Sequence, residues 1–310
     1  MPEPVETDDI RKHRRIRPAI TAGALAVLFA GSSGGVASAA ARPAALNLTA
    51  SKPAGYSIED ASFTVPAGVD RGASVGCPVS KGGIQTWPQG GGVLVSSTSL
   101  AINIADTYPD GTFWVVNVNN ASSEQTVAGV YAVCAKPFGG YAQVESTTIG
   151  DGTDDVEYGS VSCPHGTKAL GGGVSSPDPD LNENVAVSFT NSPSDWLGGM
   201  SNSGTGDDFF NIWAVCSKYS LKSHYTIVQG PATTVDEGTQ TDIAPAVCPA
   251  GTSVLGGGVG GVGGAYGIGP VFPSEVLGSD WPSSASQWEA VGNNFTGETY
   301  GLTSYAICAS

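Results

Sequence analysis

The sequence predicts an all-β protein: three tandem antiparallel β-sandwich-like repeats of about 85 residues, each closed by one disulfide. Three observations predict it. Six cysteines fall at matching places in three successive segments. Runs of β-branched and aromatic residues bounded by Gly, Asn, Ser and Pro dominate residues 55–310. No stretch after residue 40 carries a long 3.6-residue apolar period or helix caps.

Composition narrows the function classes. The chain has 310 residues, with 13 Lys+Arg against 28 Asp+Glu and a net charge of −15. An acidic chain repels phosphate, so nucleic acid is not an expected partner. A hydrophobic content of 40% can bury a core, which sets the chain apart from disordered acidic tails. Three His among 310 residues argue against a histidine-rich metal enzyme. The 44 Gly show no three-residue period, which excludes collagen.

Residues 1–39 read as a secretory signal peptide. Arg11, Lys12, Arg14, Arg15 and Arg17 precede an apolar run at 19–30, and small residues then lead to Ala37-Ser38-Ala39, an A-x-A cleavage site. The apolar run falls short of the roughly 20 residues a membrane span needs. Cleavage starts the mature chain at Ala40, and cleavage after Ala41 fits nearly as well. His13, Ile16 and Arg17 suit a twin-arginine signal poorly, so the general secretory route is expected. The mature chain then holds 8 basic and 24 acidic residues, a net of −16. Residues 40–54 read as a loose lead-in.

The repeats follow at 55–138, 139–222 and 223–310. Cys77-Pro78, Cys163-Pro164 and Cys248-Pro249 are each followed by three glycines and a valine, at Gly90 to Val93, Gly171 to Val174 and Gly256 to Val259. Copy one carries five extra residues between these landmarks. Trp114, Trp196 and Trp288 each stand 20 residues before a second cysteine, Cys134, Cys216 or Cys308. Asn120, Asn202 and Asn294 each lie six residues after that Trp, and Tyr56, Tyr141 and Tyr225 open the copies.

Six cysteines allow 15 pairings. The repeat singles out Cys77–Cys134, Cys163–Cys216 and Cys248–Cys308, as an oxidising compartment would favour. The alternative is a swapped pattern that joins Cys134 to Cys163 and bridges Cys77 to Cys308. No C-x2-C spacing supports zinc, and no cofactor is expected.

Within a unit, Val93-Leu94-Val95, Phe113 to Val118 and residues 127–133, 185–189 and 209–215 read as strands. The triple Gly suits a bulge or a tight crossing beside the disulfide. The Trp reads as a core plug and the Asn as a turn residue. A unit of this size is nearer a small sandwich than a propeller blade. Three tandem modules are therefore expected, pseudo-threefold if they pack closely. One fused three-lobed barrel or prism is the alternative.

Cys163-Pro164-His165-Gly166 with Leu170 to Val174, and Cys248-Pro249-Ala250-Gly251 with Leu255 to Val259, followed by Trp and an aromatic-Ala-aliphatic-Cys run, resemble repeats in secreted proteins of high-GC Gram-positive (actinobacterial) bacteria. The first copy departs from the pattern, with Ser80 in place of Gly and an insertion after it. The resemblance implies an extracellular location and assigns no chemistry.

Several motifs invite chemical readings. Gly72 to Gly76 matches G-x-S-x-G around Ser74, with His165 and His224 downstream, but no helix follows and the other copies lack it. Gly256 to Gly261 satisfies G-x-G-x-x-G without a βαβ context. Asp151, Asp154 and Asp155, then Asp178 and Asp180, then Asp207 and Asp208 group carboxylates in copy two alone and read as solvated turns rather than a Ca²⁺ site. Trp87, Trp281 and Tyr266 are the ligand-binding candidates, since unrepeated aromatics in loops make sugar or peptide platforms.

These readings lead to an expectation of a secreted, non-enzymatic structural or adhesive protein without metal or catalytic residues. A carbohydrate-binding, lectin-like array is the first alternative and a secreted hydrolase the second. An extracellular glycan or a cell-surface protein is the expected kind of partner, with no membrane span after signal cleavage. No wall-sorting motif is visible, so free release is expected over covalent anchoring.

Overall fold

The computed structural model describes residues 52–310 apart from 178–179, 191, 219–223, 263–274 and 296. The expected signal peptide, most of the lead-in and Tyr266 lie outside the described residues. Every described residue belongs to the unit Asn47–Ser310. Twenty strands and no helix occur among them.

Repeat one supplies β1 (Ser57–Val65), β2 (Val69–Gly76), β3 (Trp87–Val95), β4 (Ile102–Asp110), β5 (Phe113–Asn120) and β6 (Thr126–Ala135). Repeat two supplies β7 (Ala142–Glu145), β8 (Ile149–Asp151), β9 (Asp155–Ser162), β10 (Lys168–Ser175), β11 (Glu183–Phe189), β12 (Asp195–Asn202) and β13 (Asp208–Ser217). Repeat three supplies β14 (Thr226–Gln229), β15 (Thr233–Val235), β16 (Gln240–Val247), β17 (Ser253–Gly261), β18 (Glu275–Ser284), β19 (Gln287–Asn294) and β20 (Tyr300–Ala309). The short pairs β7–β8 and β14–β15 correspond to the single strand β1. Burial alternates along the second half of β1, as expected of an outer strand with one wet face. It is continuous along β11 and β17, which lie inside.

Strand pairing answers the question of separate or fused modules. The three sheets run β1-β6-β3-β18-β19-β16, β2-β5-β4-β10-β13-β7 and β14-β20-β17-β11-β12-β9. Each sheet joins half of one repeat to half of another. Within a repeat the two halves face each other as a sandwich. Across repeats they join at β10–β4 (Val174↔Thr107), β11–β17 (Ser188↔Val259) and β18–β3 (Asp280↔Val93). The result is one fused ring of three sandwiches with pseudo-threefold symmetry.

The triple glycines make this ring possible, because each of the three has a different close neighbour. A methyl group on Gly90 would lie 2.6 Å from Cα of Gly256, one on Gly256 would lie 2.9 Å from Cα of Gly171, and one on Gly171 would lie 2.8 Å from Cα of Gly90. The first glycines thus touch in a closed triangle on the axis. The second glycines, Gly91, Gly172 and Gly257, lie flat against Trp114, Trp196 and Trp288. The third, Gly92, Gly173 and Gly258, pass the carbonyls of Asp280, Thr107 and Ser188 on the adjoining repeat. No side chain fits any of these places.

The disulfides are Cys77–Cys134, Cys163–Cys216 and Cys248–Cys308, with Cα–Cα distances of 5.5, 5.6 and 5.6 Å. The swapped pattern does not occur. Each bridge ties the residue after a second strand to the last strand, and so staples the two sheets of one sandwich. Loop closure gives each about 4 kcal/mol in the chain-entropy view.

The recurring Asn have equally regular partners, and so do two of the three recurring Tyr. Asn120, Asn202 and Asn294 donate from Nδ2 to the carbonyls of Val65, Asp151 and Val235 at 3.1, 3.3 and 3.1 Å. Each also donates across its own turn, to Glu124, Gly206 or Glu298, at 2.8 Å. Tyr141 donates to the Pro88 carbonyl at 2.7 Å and Tyr225 to the Ala169 carbonyl at 2.8 Å, clasping each repeat to the one before it. Tyr56 packs against a cluster made mostly of repeat-three residues, Val254 among them, and its buried hydroxyl has no partner among the described residues.

Candidate functional site

Strand register separates two ends of the ring. The Cys-Pro turns and tyrosine clasps lie at one end. The loops from third to fourth strand and from fifth to sixth lie at the other. At this loop end a cavity of about 260 Å³ opens where all three repeats meet.

Two sets of equivalent positions build it. The floor carries Asn103, Asn184 and Val276, one from each repeat. Asn293 donates from Nδ2 to Asn103 Oδ1 at 2.7 Å and to the Ile102 carbonyl at 3.0 Å. Asn119 likewise donates to Asn184 Oδ1 at 3.0 Å and to the Glu183 carbonyl at 2.6 Å. Both floor amides are therefore fixed by an asparagine of a neighbouring repeat. At the third joint the pattern changes, with Val276 in the floor and Ser201 at the equivalent of Asn119. The rim carries Ala121, Ser203 and Phe295, each directly after a recurring Asn. Phe295 is 44% exposed, so its ring is open to a ligand.

One wall is Leu181 and Asn182. Asp180 holds it, accepting from the Asn182 backbone at 2.6 Å and from its Nδ2 at 3.2 Å. The Asn182 carbonyl accepts from the Ser203 backbone at 3.0 Å. No side chain lining the cavity among the described residues is charged. Asn119 Oδ1, beside Asn184, is buried without a partner among the described residues.

Carboxyl groups gather below this wall and outside the cavity. Burial pushes Glu183 up to about 8, beside Asp208, Asp106 and Asp151. It pushes Asp151 up to about 7 and Asp106 to about 6. It also raises Asp70 to about 7, helped by Asp106 and Asp180. No group of three or more His, Cys, Asp or Glu among the described residues is placed to hold a metal ion.

The residues singled out in the sequence lie elsewhere. Trp87 leans on the clasp tyrosine Tyr141, ring centroids 5.4 Å apart, where Lys168 covers Tyr225 at 4.3 Å and Lys52 covers Tyr56 at 5.3 Å. Trp281 occupies the place that Tyr108 and Phe189 hold in the other repeats, where they stack on Trp213 at 5.8 Å and Tyr305 at 4.8 Å. Six residues of β3 separate Trp87 from Val93, the neighbour of Trp281's strand, or about 20 Å. The two tryptophans do not form one site, and neither lines the cavity. Ser74 is exposed within the outer strand β2, opposite Val115, and Gly256 to Gly261 lie inside the buried strand β17.

Two more open grooves, of about 630 and 560 Å³, flank the clasps at Tyr225 with Pro249 and at Tyr56 with Pro78. Among the described residues, each draws on a single repeat. The loop-end cavity alone among these three combines all the repeats. Recurrence in the sequence does not mark its key residues, Asn103, Asn184 and Phe295. What marks the cavity is the opposite signal: a position beside a recurring landmark that differs in every copy, as Ala121, Ser203 and Phe295 do. The chain matches no protein-family model and no curated protein.

Proposed function

We propose that the protein is exported and acts outside the cell as a non-enzymatic structural or adhesive protein, with the loop end of the ring as its binding face. The observation that carries this reading is the convergence of three repeats on one cavity lined by amides, a hydroxyl and apolar groups. Such a lining binds neutral matter and offers no titratable acid or base to a reaction. Export is supported by the basic, apolar and small-residue order of residues 1–39 and by three disulfides, which belong to an oxidising compartment.

The test is to express the full chain in a Gram-positive host and recover it from the medium. The expected product begins at Ala40 or Arg42, has no titratable thiol, and coats cells or wall fragments. A product that stays inside the cell, or a secreted one that binds no surface, overturns the proposal.

A further inference from the structure

We infer that the loop-end cavity is a site for one neutral pyranose ring, held edge-on by repeats one and two and face-on by repeat three. The inference rests on the binding-face reading above and names its ligand class.

Size gives the first constraint. At about 260 Å³ the cavity lies just below the roughly 300–1,000 Å³ of sites for drug-sized ligands, so it admits one small ring and not an oligomer laid lengthwise. Chemistry gives the second. A sugar hydroxyl both donates and accepts, and the lining keeps capacity for both: the Asn103 and Asn184 amides each give one N–H to a carbonyl, Leu100 at 3.1 Å and Asn182 at 3.4 Å, and keep a second, while Ser203 donates to the Asn182 carbonyl at 3.2 Å and its oxygen can still accept. An anion would meet no cationic side chain there, on a chain of net charge −15. A cation would meet no carboxylate among the lining residues, Asp180 standing behind Asn182 and outside the lining.

Asymmetry gives the third constraint, and it is the least expected. A threefold protein with three floor asparagines would be polar all round and would fix no orientation. Here Val276 replaces the third asparagine and Phe295 replaces the small rim residues Ala121 and Ser203. Both changes fall in repeat three, so its side of the cavity is wholly apolar, while repeats one and two bring the amides and the hydroxyl, interspersed with Ala101, Ala121 and Leu181. A pyranose has the same division, with hydroxyls around its edge and C–H groups on its face. A ligand of this size in a half-open site binds with a dissociation constant of roughly 1 mM.

Saturation-transfer NMR on the disulfide-intact chain suits that range. The probes are glucose, galactose, mannose and N-acetylglucosamine, with glucuronate and glucosamine as charged counterparts. We expect transfer to at least one neutral sugar, strongest at its ring C–H protons, and at least tenfold weaker binding of the charged counterparts. Phe295→Ala, at an exposed position, keeps its thermal midpoint and loses binding at least tenfold. Ser203→Ala loses it several-fold. No transfer to any neutral sugar, preference for a charged one, or binding indifferent to Phe295→Ala overturns the inference. Attachment to wall fragments is measured in parallel. Attachment without sugar binding removes the sugar and leaves the adhesive reading standing. Sugar binding without attachment keeps the site and removes the adhesive reading.

Discussion

Asp280 is a buried carboxyl group at a place where the other repeats carry hydroxyls. Trp114 donates from Nε1 to Thr107 Oγ1 at 2.9 Å, and Trp196 donates to Ser188 Oγ at 3.1 Å. Trp288 donates instead to Asp280 Oδ1. Burial raises the Asp280 pKa to about 7, and the indole bond offsets only part of that. In the unfolded chain the group titrates near its ordinary value, so between about 4 and 7 the folded protein binds the extra proton. Stability tied to Asp280 is then complete below about pH 4 and falls as pH rises through 7. Asp280→Thr copies the first repeat and removes this dependence. Urea midpoints at pH 5 and pH 9 check it: the wild type loses more stability over that interval than the variant, by on the order of 2 kcal/mol. An equal loss in both proteins would show that Asp280 does not titrate on unfolding. Asp280 was not legible in the sequence, since nothing in SDWPSS distinguishes a core carboxyl from a loop one. Cys, Trp and Asn were legible because each does the same job three times, and Tyr because it packs at the same joint each time, with two of the three hydroxyls clasping the repeat before.

Among the elements, the glycine-bearing strands β3, β10 and β17 decide the architecture. Gly171→Ala would push a methyl group into the Gln89 carbonyl and Cα of Gly90, both backbone atoms of another repeat. Neither can move without parting the axis, so the cost exceeds that of ordinary overpacking, about 1–3 kcal/mol. Gly82→Ala is the matched control, because nothing lies within 4 Å of the added methyl. The expected outcome is loss of soluble folded protein, or a midpoint lowered by more than 3 kcal/mol, for Gly171→Ala. The control stays within about 0.5 kcal/mol of the wild type. Similar behaviour of the two would mean that the axial contact is not tight. The sequence was sufficient to expect a close approach beside the disulfide. It could not say that the approach is to another repeat, because the repeats join through single residue pairs such as Val174↔Thr107, which leave no run of matched residues to read. For the same reason the cavity was hidden: its lining comes from loops of all three copies, brought together only by that joint.

At the scale of the molecule, sharing sheets between repeats makes the ring one cooperative unit. Repeat two keeps its own sandwich, its disulfide and Trp196 when excised as residues 139–222. It loses β4 beside β10, β17 beside β11, and the Gly90 and Gly256 backbone beside Gly171. Two inner strands then become open edges along buried, apolar residues such as Val174, Val185 and Val187, which invite pairing with other chains. A unit of this size also buries too little surface to tolerate that loss, even with a staple worth about 4 kcal/mol. The oxidised fragment is therefore expected to lack dispersed, protected amide signals in NMR and to aggregate at concentrations where the whole chain stays monodisperse. The whole chain is expected to melt in a single calorimetric transition whose enthalpy matches the van't Hoff value. Three resolved transitions, or a fragment with native-like amide protection, would mean that the sandwiches stand alone and that the cavity between them is an incidental gap. A single transition instead ties the floor asparagines to the same event that forms the core. On that view any ligand held between the repeats raises the melting temperature of the entire ring, not of one lobe.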